Sequence, residues 1–359
     1  MRQGIRRGVR PLSPCALGLL CVLGALPAPA ASLTAELSAS QDSRALTLLG
    51  DVELREEETF LTFGYSGLRP EPDTAASHQL SLGVDHALSE HWLISGSLLV
   101  GLPKSTLTPL AIERPRLGLP SLAARTAYSS QGLSLSAGYD SGGLSDVEYG
   151  LDASLGLTRY PLRRSILTRQ GTNAPTVAFQ HTERLGVLRP TLGARLMLGT
   201  HWELGLRGGL YLYSDDPLSA GQFTEQEQQA LAERYTQEGE DRALQRAFLE
   251  RLYRDLGTSV AGRLAEVNVV AGLPSAPVRF DVRPAVTYRF SSKVRAQLSY
   301  GFTQYVPGQG HGHVLGTRWT FRLGEPLRLW AAAAVQSDVP EAADPVYTGL
   351  LTLGAEYTF

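Results

Sequence analysis

Residues 350–359 read LLTLGAEYTF, and their pattern decides the fold. Tyr347, Gly349, Leu351, Leu353, Ala355, Tyr357 and Phe359 share one face of an extended chain. Thr348, Thr352, Gly354, Glu356 and Thr358 share the other, interrupted only by Leu350. Such period-two alternation is the pattern of a strand with one apolar and one polar side. A strand that ends a chain in water would leave an unprotected edge, a template for aggregation. The expectation is that another strand closes that edge.

The alternation recurs upstream. In RFDVRPAVTYRF (279–290), Phe280, Val282, Val286, Tyr288 and Phe290 oppose Arg279, Asp281, Arg283, Thr287 and Arg289. VRAQLSYGF (294–302) sets Leu298 and Tyr300 against Arg295, Gln297 and Ser299. WELGLRGGLYLY (202–213) sets Trp202, Leu204, Leu206, Leu210 and Leu212 against Glu203, Arg207, Tyr211 and Tyr213. Strands of this kind suit either a soluble sandwich or a membrane barrel, and three features favour the barrel. Short links such as SEH, SSQG, GTH, SSK and GEP alternate with longer ones such as RPEPDTAAS and VPGQGHGH, the asymmetry of outer-membrane barrels. Glycine is frequent inside the strands, where it eases the curvature of a closing sheet. The polar faces carry too many arginines for a sandwich core, whereas a water-filled lumen can hold them.

The beginning of the chain points to export. Arg2, Arg6, Arg7 and Arg10 precede the apolar run CALGLLCVLGAL and the small-residue site PAPAAS, so residues 1–31 read as a secretory signal peptide. Cys15 and Cys21 both lie within it, and the mature chain is expected to hold no disulfide, zinc site or thiol nucleophile. Removing those four arginines from 33 basic residues leaves 29 against 35 acids, a formal charge near −6 that argues against nucleic acid as a partner. No later stretch is long and apolar enough to form a membrane helix.

The tail TLGAEYTF resembles the C-terminal sorting signal of Gram-negative outer-membrane β-barrel proteins. That pattern has a polar residue, a glycine two positions on, then aromatic or apolar residues alternating to a terminal Phe. Thr352, Gly354, Tyr357 and Phe359 occupy those positions. The resemblance implies a porin-like barrel in the bacterial outer membrane, surrounded by its lipids. It further implies recognition of the last strand by the barrel-assembly machinery. No cofactor is expected.

The whole of 32–359 is therefore read as an all-β, antiparallel up-and-down transmembrane barrel of about 16 strands, within a range of 12–16. Separate strands are expected at 121–128 and 133–140, and at least one more within 160–190. Pro190 and Pro284 lack ladder donors, which predicts bulges or shifted strand boundaries there. A long loop at 215–262 departs from the pattern, because its period becomes three to four over 223–257. Thr224 and Glu227 form a capping box, and Leu244, Phe248, Leu252 and Leu256 form one apolar stripe. A helical insert follows, either a decorated loop or a lid against the barrel mouth.

The non-lipid faces predict the lumen wall. Its basic side is Arg195, Arg207, Arg279, Arg283, Arg289, Arg295, Arg318, Arg322 and Arg328, and its acidic side is Asp51, Glu53, Asp85 and Asp152. A basic wall across water from an acidic one makes a transverse field, and arginine rows favour anions. The resulting expectation is a passive channel for small, anionic solutes. The alternatives are a plugged barrel that binds a partner or serves a structural role, and an outer-membrane hydrolase. Enzyme chemistry finds little purchase, since no Ser or acid has a spacing that ties it to a particular His. His311 and His313 supply two metal ligands without a third, so no metal site is expected.

Overall fold

The computed structural model describes residues 31–359 except position 42 and the stretches 56–57, 71–75, 111–120, 143–146, 170–173, 219–223, 227–275 and 342. Residues 1–30 of the expected signal peptide, and all but 224–226 of the helical insert, lie outside the described residues. Among the described residues no helix is long and apolar enough to cross a membrane.

The alternating segments form β1 (Ala31–Ser40), β2 (Ser43–Arg55), β3 (Thr59–Pro70), β4 (Ser77–Ala87) and β5 (Trp92–Leu110). Then come β6 (Ser121–Asp140), β7 (Tyr149–Arg169), β8 (Thr176–Leu198), β9 (Trp202–Leu210) and the two-residue β10 (Leu212–Tyr213). After the long connection follow β11 (Val278–Arg289), β12 (Val294–Tyr305), β13 (His311–Arg322), β14 (Leu327–Val339) and β15 (Val346–Thr358). Neighbours pair antiparallel from β1 to β9, β9 pairs with β11, and the order runs on to β15, which returns to β1. Fourteen strands close the ring, inside the expected range, while β10 continues β9 along β8.

The closing seam answers the puzzle of the tail. Nine residue pairs join β1 to β15, from Ser32 opposite Thr358 to Ser40 opposite Leu350. The Phe359 amide donates to the Ala31 carbonyl at 2.8 Å. Inside the ring, the Ser38 and Thr352 hydroxyls bond across the seam at 2.9 Å. No strand edge remains there to recruit another chain.

The register also sorts side chains by face. Leu351 and Leu353 are each 65% exposed on the outside, Leu192 is 70% exposed, and Leu298 is 57% exposed. Their polar neighbours Ser38, Thr287, Thr320 and Thr352 are buried inside. This inverts the pattern of a water-soluble domain, which rarely exposes an apolar patch beyond a few hundred Å². Aromatic clusters bound the apolar band. At the end that carries the chain termini, Trp92 packs on Tyr139, Trp202 on Tyr288, and Phe290 on Trp319, at ring separations of 5.1, 4.7 and 5.7 Å. At the loop end stand Tyr65 with His78, Phe280 with Phe302, and Tyr300 with His313. Tyr347 and Tyr357 are ten residues apart on β15, which at a strand tilt near 40° gives roughly 25 Å, the height of a membrane-barrel apolar band.

Three details differ from the alternation alone. The SSQG segment is not a turn, since residues 121–128 and 133–140 are one strand, β6. Strands β5 to β8 run 19, 20, 21 and 23 residues, about twice what a bilayer needs, so this quarter of the wall rises well beyond the belt. The prolines cause no bulge, because register shifts fall instead after Glu53, Gly101, Ile166 and Val278. Pro190 does shift a boundary. It stands opposite Leu210 and has no N–H to give, so the strand breaks at Tyr211, whose amide turns to the Arg279 carbonyl at 2.9 Å.

Gly354 has a structural task beside its place in the tail motif. The Trp330 indole lies flat across it on the lumen side, and a Cβ would collide with the ring. Trp330 is 5% exposed and donates through Nε1 to Glu36 at 3.2 Å. Replacing Leu298 by Arg, in the middle of the belt, is expected to lower folding stability in lipid vesicles by about 2–4 kcal/mol. Urea titration read by tryptophan fluorescence measures it, and an unchanged midpoint would mean that the faces are assigned the wrong way round.

Candidate functional site

The charged residues of the lumen are set by strand parity and lie in tiers. Nearest the termini, Arg289 pairs with Glu203 at 3.1 Å and Arg328 with Glu356 at 2.8 Å, while Arg195 pairs with Asp140. One tier up, Arg207 approaches Asp152 at 3.8 Å across the face of Gly193. A Cβ at Gly193 would strike the Asp152 carboxylate, so the glycine keeps that bridge possible. Arg318 lies over Trp330 at 4.7 Å in a cation–π contact.

Further toward the loop end, Asp281 is 5% exposed and held by two guanidinium groups, Arg189 and Arg283, each at 3.3 Å. Arg189 also stacks over Tyr211 at 4.7 Å. Here the lumen opens into a chamber of about 630 Å³. Its floor is small and polar on β5 to β7, with Ser97, Ser134, Ser154 and Thr158, while Asp281, Arg189, Arg207 and Arg283 form one side. Toward the mouth the lining turns aromatic. Tyr128 and Tyr160 pack with Leu162, Leu185 and Val187, against Tyr211 and Tyr213, and Tyr305 packs with Ala276 and Val278. Tyr305 is fixed by its hydroxyl, which donates to Asp338, and Gln336 donates to the same carboxylate at 2.8 Å.

Most of the wall residues expected from sequence are placed here by register. Arg195, Arg207, Arg283, Arg289, Arg295, Arg318, Arg322 and Arg328 lie on the inward face of β8, β9 and β11 to β14. Asp51, Glu53 and Asp85 lie inward on β2 and β4, about half a ring away from β9 and β12. Asp152 belongs with the arginines, beside Arg207. Arg279 is the exception. The register shifts between Val278 and Phe280, so Val278 lines the chamber and Arg279 does not.

Arg189 and Asp338, like Glu36 and Asp140, are wall residues that sequence reading passed over. Arg189 precedes a proline in a segment without clear alternation, and counting back by twos from Arg195 would have placed it inward. Tyr211 and Tyr213 fell on the polar face of their strand, yet nothing local shows that they line a chamber. The histidine pair is not a lumenal site, since His313 bonds Tyr300 at 2.7 Å on the outer surface. Among the described residues no group of three or more metal-ligating side chains occurs.

No protein-family model matches the chain, and no curated protein matches it. Among solved structures, it is similar to a KdgM porin in complex with disordered oligogalacturonate, at 8% identity and TM-score 0.38, over 91% of this chain and 99% of that one. It is also similar to the Pseudomonas putida toluene transporter TodX, at 11% identity and TM-score 0.43, over 93% and 90% of the two chains. A Pseudomonas aeruginosa FadL homologue aligns at 10% identity and TM-score 0.47, over 91% and 89%. Likeness at this level does not say what this chain does.

Asp281 balances two arginines from a nearly dry position, so Asp281→Asn is expected to cost about 1–3 kcal/mol through the loss of charge-assisted bonds. Denaturant midpoints of the refolded barrel measure it. A neutral result would mean that water, not Asp281, screens Arg189 and Arg283.

Proposed function

We propose that this chain is an exported outer-membrane barrel that works as a passive, anion-preferring channel for small solutes. One observation carries the reading. Inward-facing charged side chains inside a closed ring stay in contact with water, with Arg195, Arg207 and Arg283 at 52, 63 and 57% exposure. Such exposure needs a wet interior at their level. The sign follows from the pairing. Among the described residues Arg295, Arg318 and Arg322 form no ion pair, Glu36 and Glu356 acting on Arg318 only from a distance, and the β12–β13 wall keeps an excess of positive charge toward the lumen.

The membrane assignment rests on the apolar band, its two aromatic borders and the export signal expected at 1–31. With the termini on the periplasmic side, Tyr213 and Val278 stand at the end that faces out of the cell. The tail residues Thr352, Gly354, Tyr357 and Phe359 would then direct assembly.

A second reading, a barrel closed at its mouth, has the tyrosine cluster behind it. Tyr128 and Tyr305 are each 2% exposed, and with Leu162 and Leu185 they narrow the loop end. In the channel reading the same cluster is the constriction that sets solute size. An enzymatic reading has less support. His78, His86, His311 and His313 face outward, His91 and His201 sit at turns, and His181 lies opposite Arg164 in the upper wall.

The test is single-channel conductance in a planar bilayer under a salt gradient. Stable steps with an anion-selective reversal potential are expected, and Arg283→Gln with Arg318→Gln should move that potential toward zero. Silence from a folded barrel would favour the closed reading. Deleting Phe359 should reduce the folded, outer-membrane population severalfold in heat-modifiability gels of cell fractions, and normal levels would remove the sorting role from the tail.

A further inference from the structure

The tall part of the wall has an outer face as well as an inner one. On β7, Leu155 and Leu157 face outward in the apolar band, at 47 and 40% exposure. Continuing by twos, Arg159 and Arg163 occupy the same face above them. On β8, Leu192 faces outward, and eight residues further up the strand stands Arg184. On β6, Leu133 and Leu135 face outward, and Arg125 stands eight residues above Leu133. The register brings the four together. Arg184 lies opposite Pro161, between Arg159 and Arg163, while Arg163 lies opposite Ala127, one step along the face from Arg125.

All four side chains are exposed. Among the described residues none of them has an ion pair or a side-chain hydrogen bond, and no acid shares their face on β6 to β8. The nearby Glu183 points inward, opposite Leu162. At the other border of the belt the exposed charges are mostly acidic, with Glu58, Glu90 and Glu325 beside Lys293.

Height selects the partner. Tyr149 marks the lower aromatic border on β7, and Arg159 is ten residues above it, roughly 25 Å up at a tilt near 40°. Arg159 therefore stands where the hydrocarbon ends, and Arg184, Arg163 and Arg125 follow within about 15 Å above it by the same spacing. Unpaired guanidinium groups at that depth meet lipid headgroups before they meet bulk water. All four are arginine, whose planar fork holds phosphate through two parallel hydrogen bonds.

We propose that Arg125, Arg159, Arg163 and Arg184 form a docking surface for the phosphate groups of an anionic lipid in the outer leaflet. The acyl chains of that lipid would lie down the leucine face of β6 to β8, beside Leu135, Leu155 and Leu192. The proposal rests on the outer-membrane reading above, with the loop end outward. The lipid is recognised by its phosphates, held at fixed height above an apolar wall.

The test uses the full mature chain, refolded in a nonionic detergent and examined by native mass spectrometry with added lipid A. The bis-phosphorylated form should stay bound to the wild-type barrel. Occupancy should fall at least tenfold in the variant with Arg125, Arg159, Arg163 and Arg184 all changed to Gln. The fully dephosphorylated form should bind both proteins weakly and alike. Equal retention of bis-phosphorylated lipid by wild type and variant would overturn the proposal. So would displacement of the lipid by millimolar inorganic phosphate, which would mark a general anion patch.

Should the fourfold variant not fold, the pair Arg159→Gln, Arg163→Gln is compared with Arg159→Lys, Arg163→Lys. Loss in the first and partial retention in the second support phosphate recognition, and equal occupancy opposes it. Cell fractionation separates the two readings. A wild-type protein absent from the outer membrane would overturn the membrane assignment whatever the detergent assay gives.

Discussion

The structure depends on the seam between β1 and β15. In hydrocarbon every backbone N–H and C=O must find a partner within the protein, because lipid offers none and each orphan costs several kcal/mol. A sheet meets that demand only by closing. Nine paired residues, the Ser38–Thr352 bond and the Phe359–Ala31 bond join the two ends of the described chain into a ring without an edge. Everything else follows from closure. The strands must tilt, the two faces separate into an outer face and a lumen, and leucines such as Leu192, Leu298 and Leu351 stand outward.

Closure also shapes the lumen. Side chains that converge on the inside of a ring compete for space, and long charged ones need somewhere to lie. Gly193 and Gly354 supply it by leaving Asp152 and Trp330 room to lie along the wall. The result is a set of ion pairs that reach across strands and keep one side in water, and pairs so exposed contribute little to stability. Their value is the field they make. Around Asp281, where two arginines meet one nearly buried carboxylate, an electrostatic contact also holds strands together, from β8 to β11.

The wall is not of one height, and this asymmetry gives the molecule its two kinds of surface. Inside, the tall strands β5 to β8 bring Tyr128, Tyr160, Leu162 and Leu185 into an apolar cluster, which narrows the path above the polar chamber. Outside, the same strands carry arginines that form no ion pair among the described residues, at the border of the apolar band. A strand's period of two makes both faces from one sequence, so a constriction and a basic outer patch come from the same twenty or so residues.

Much of this was legible in the sequence. Alternation through LLTLGAEYTF and RFDVRPAVTYRF fixes which residues face outward and which face the lumen, because successive side chains on a strand must point in opposite directions. That rule placed Leu298 outside and Arg207, Arg283 and Arg318 inside before any neighbour was known. It could not place Arg279, since the register shift at Val278 comes from pairing across strands and not from the local pattern. Nor could it show that 121–140 is a single strand, because SSQG reads locally as a turn. The chamber, the Arg189–Asp281–Arg283 cluster and the meeting of four outer arginines were decided by tertiary structure alone. Each joins residues tens of positions apart, and only the register of neighbouring strands around a closed ring sets their distance.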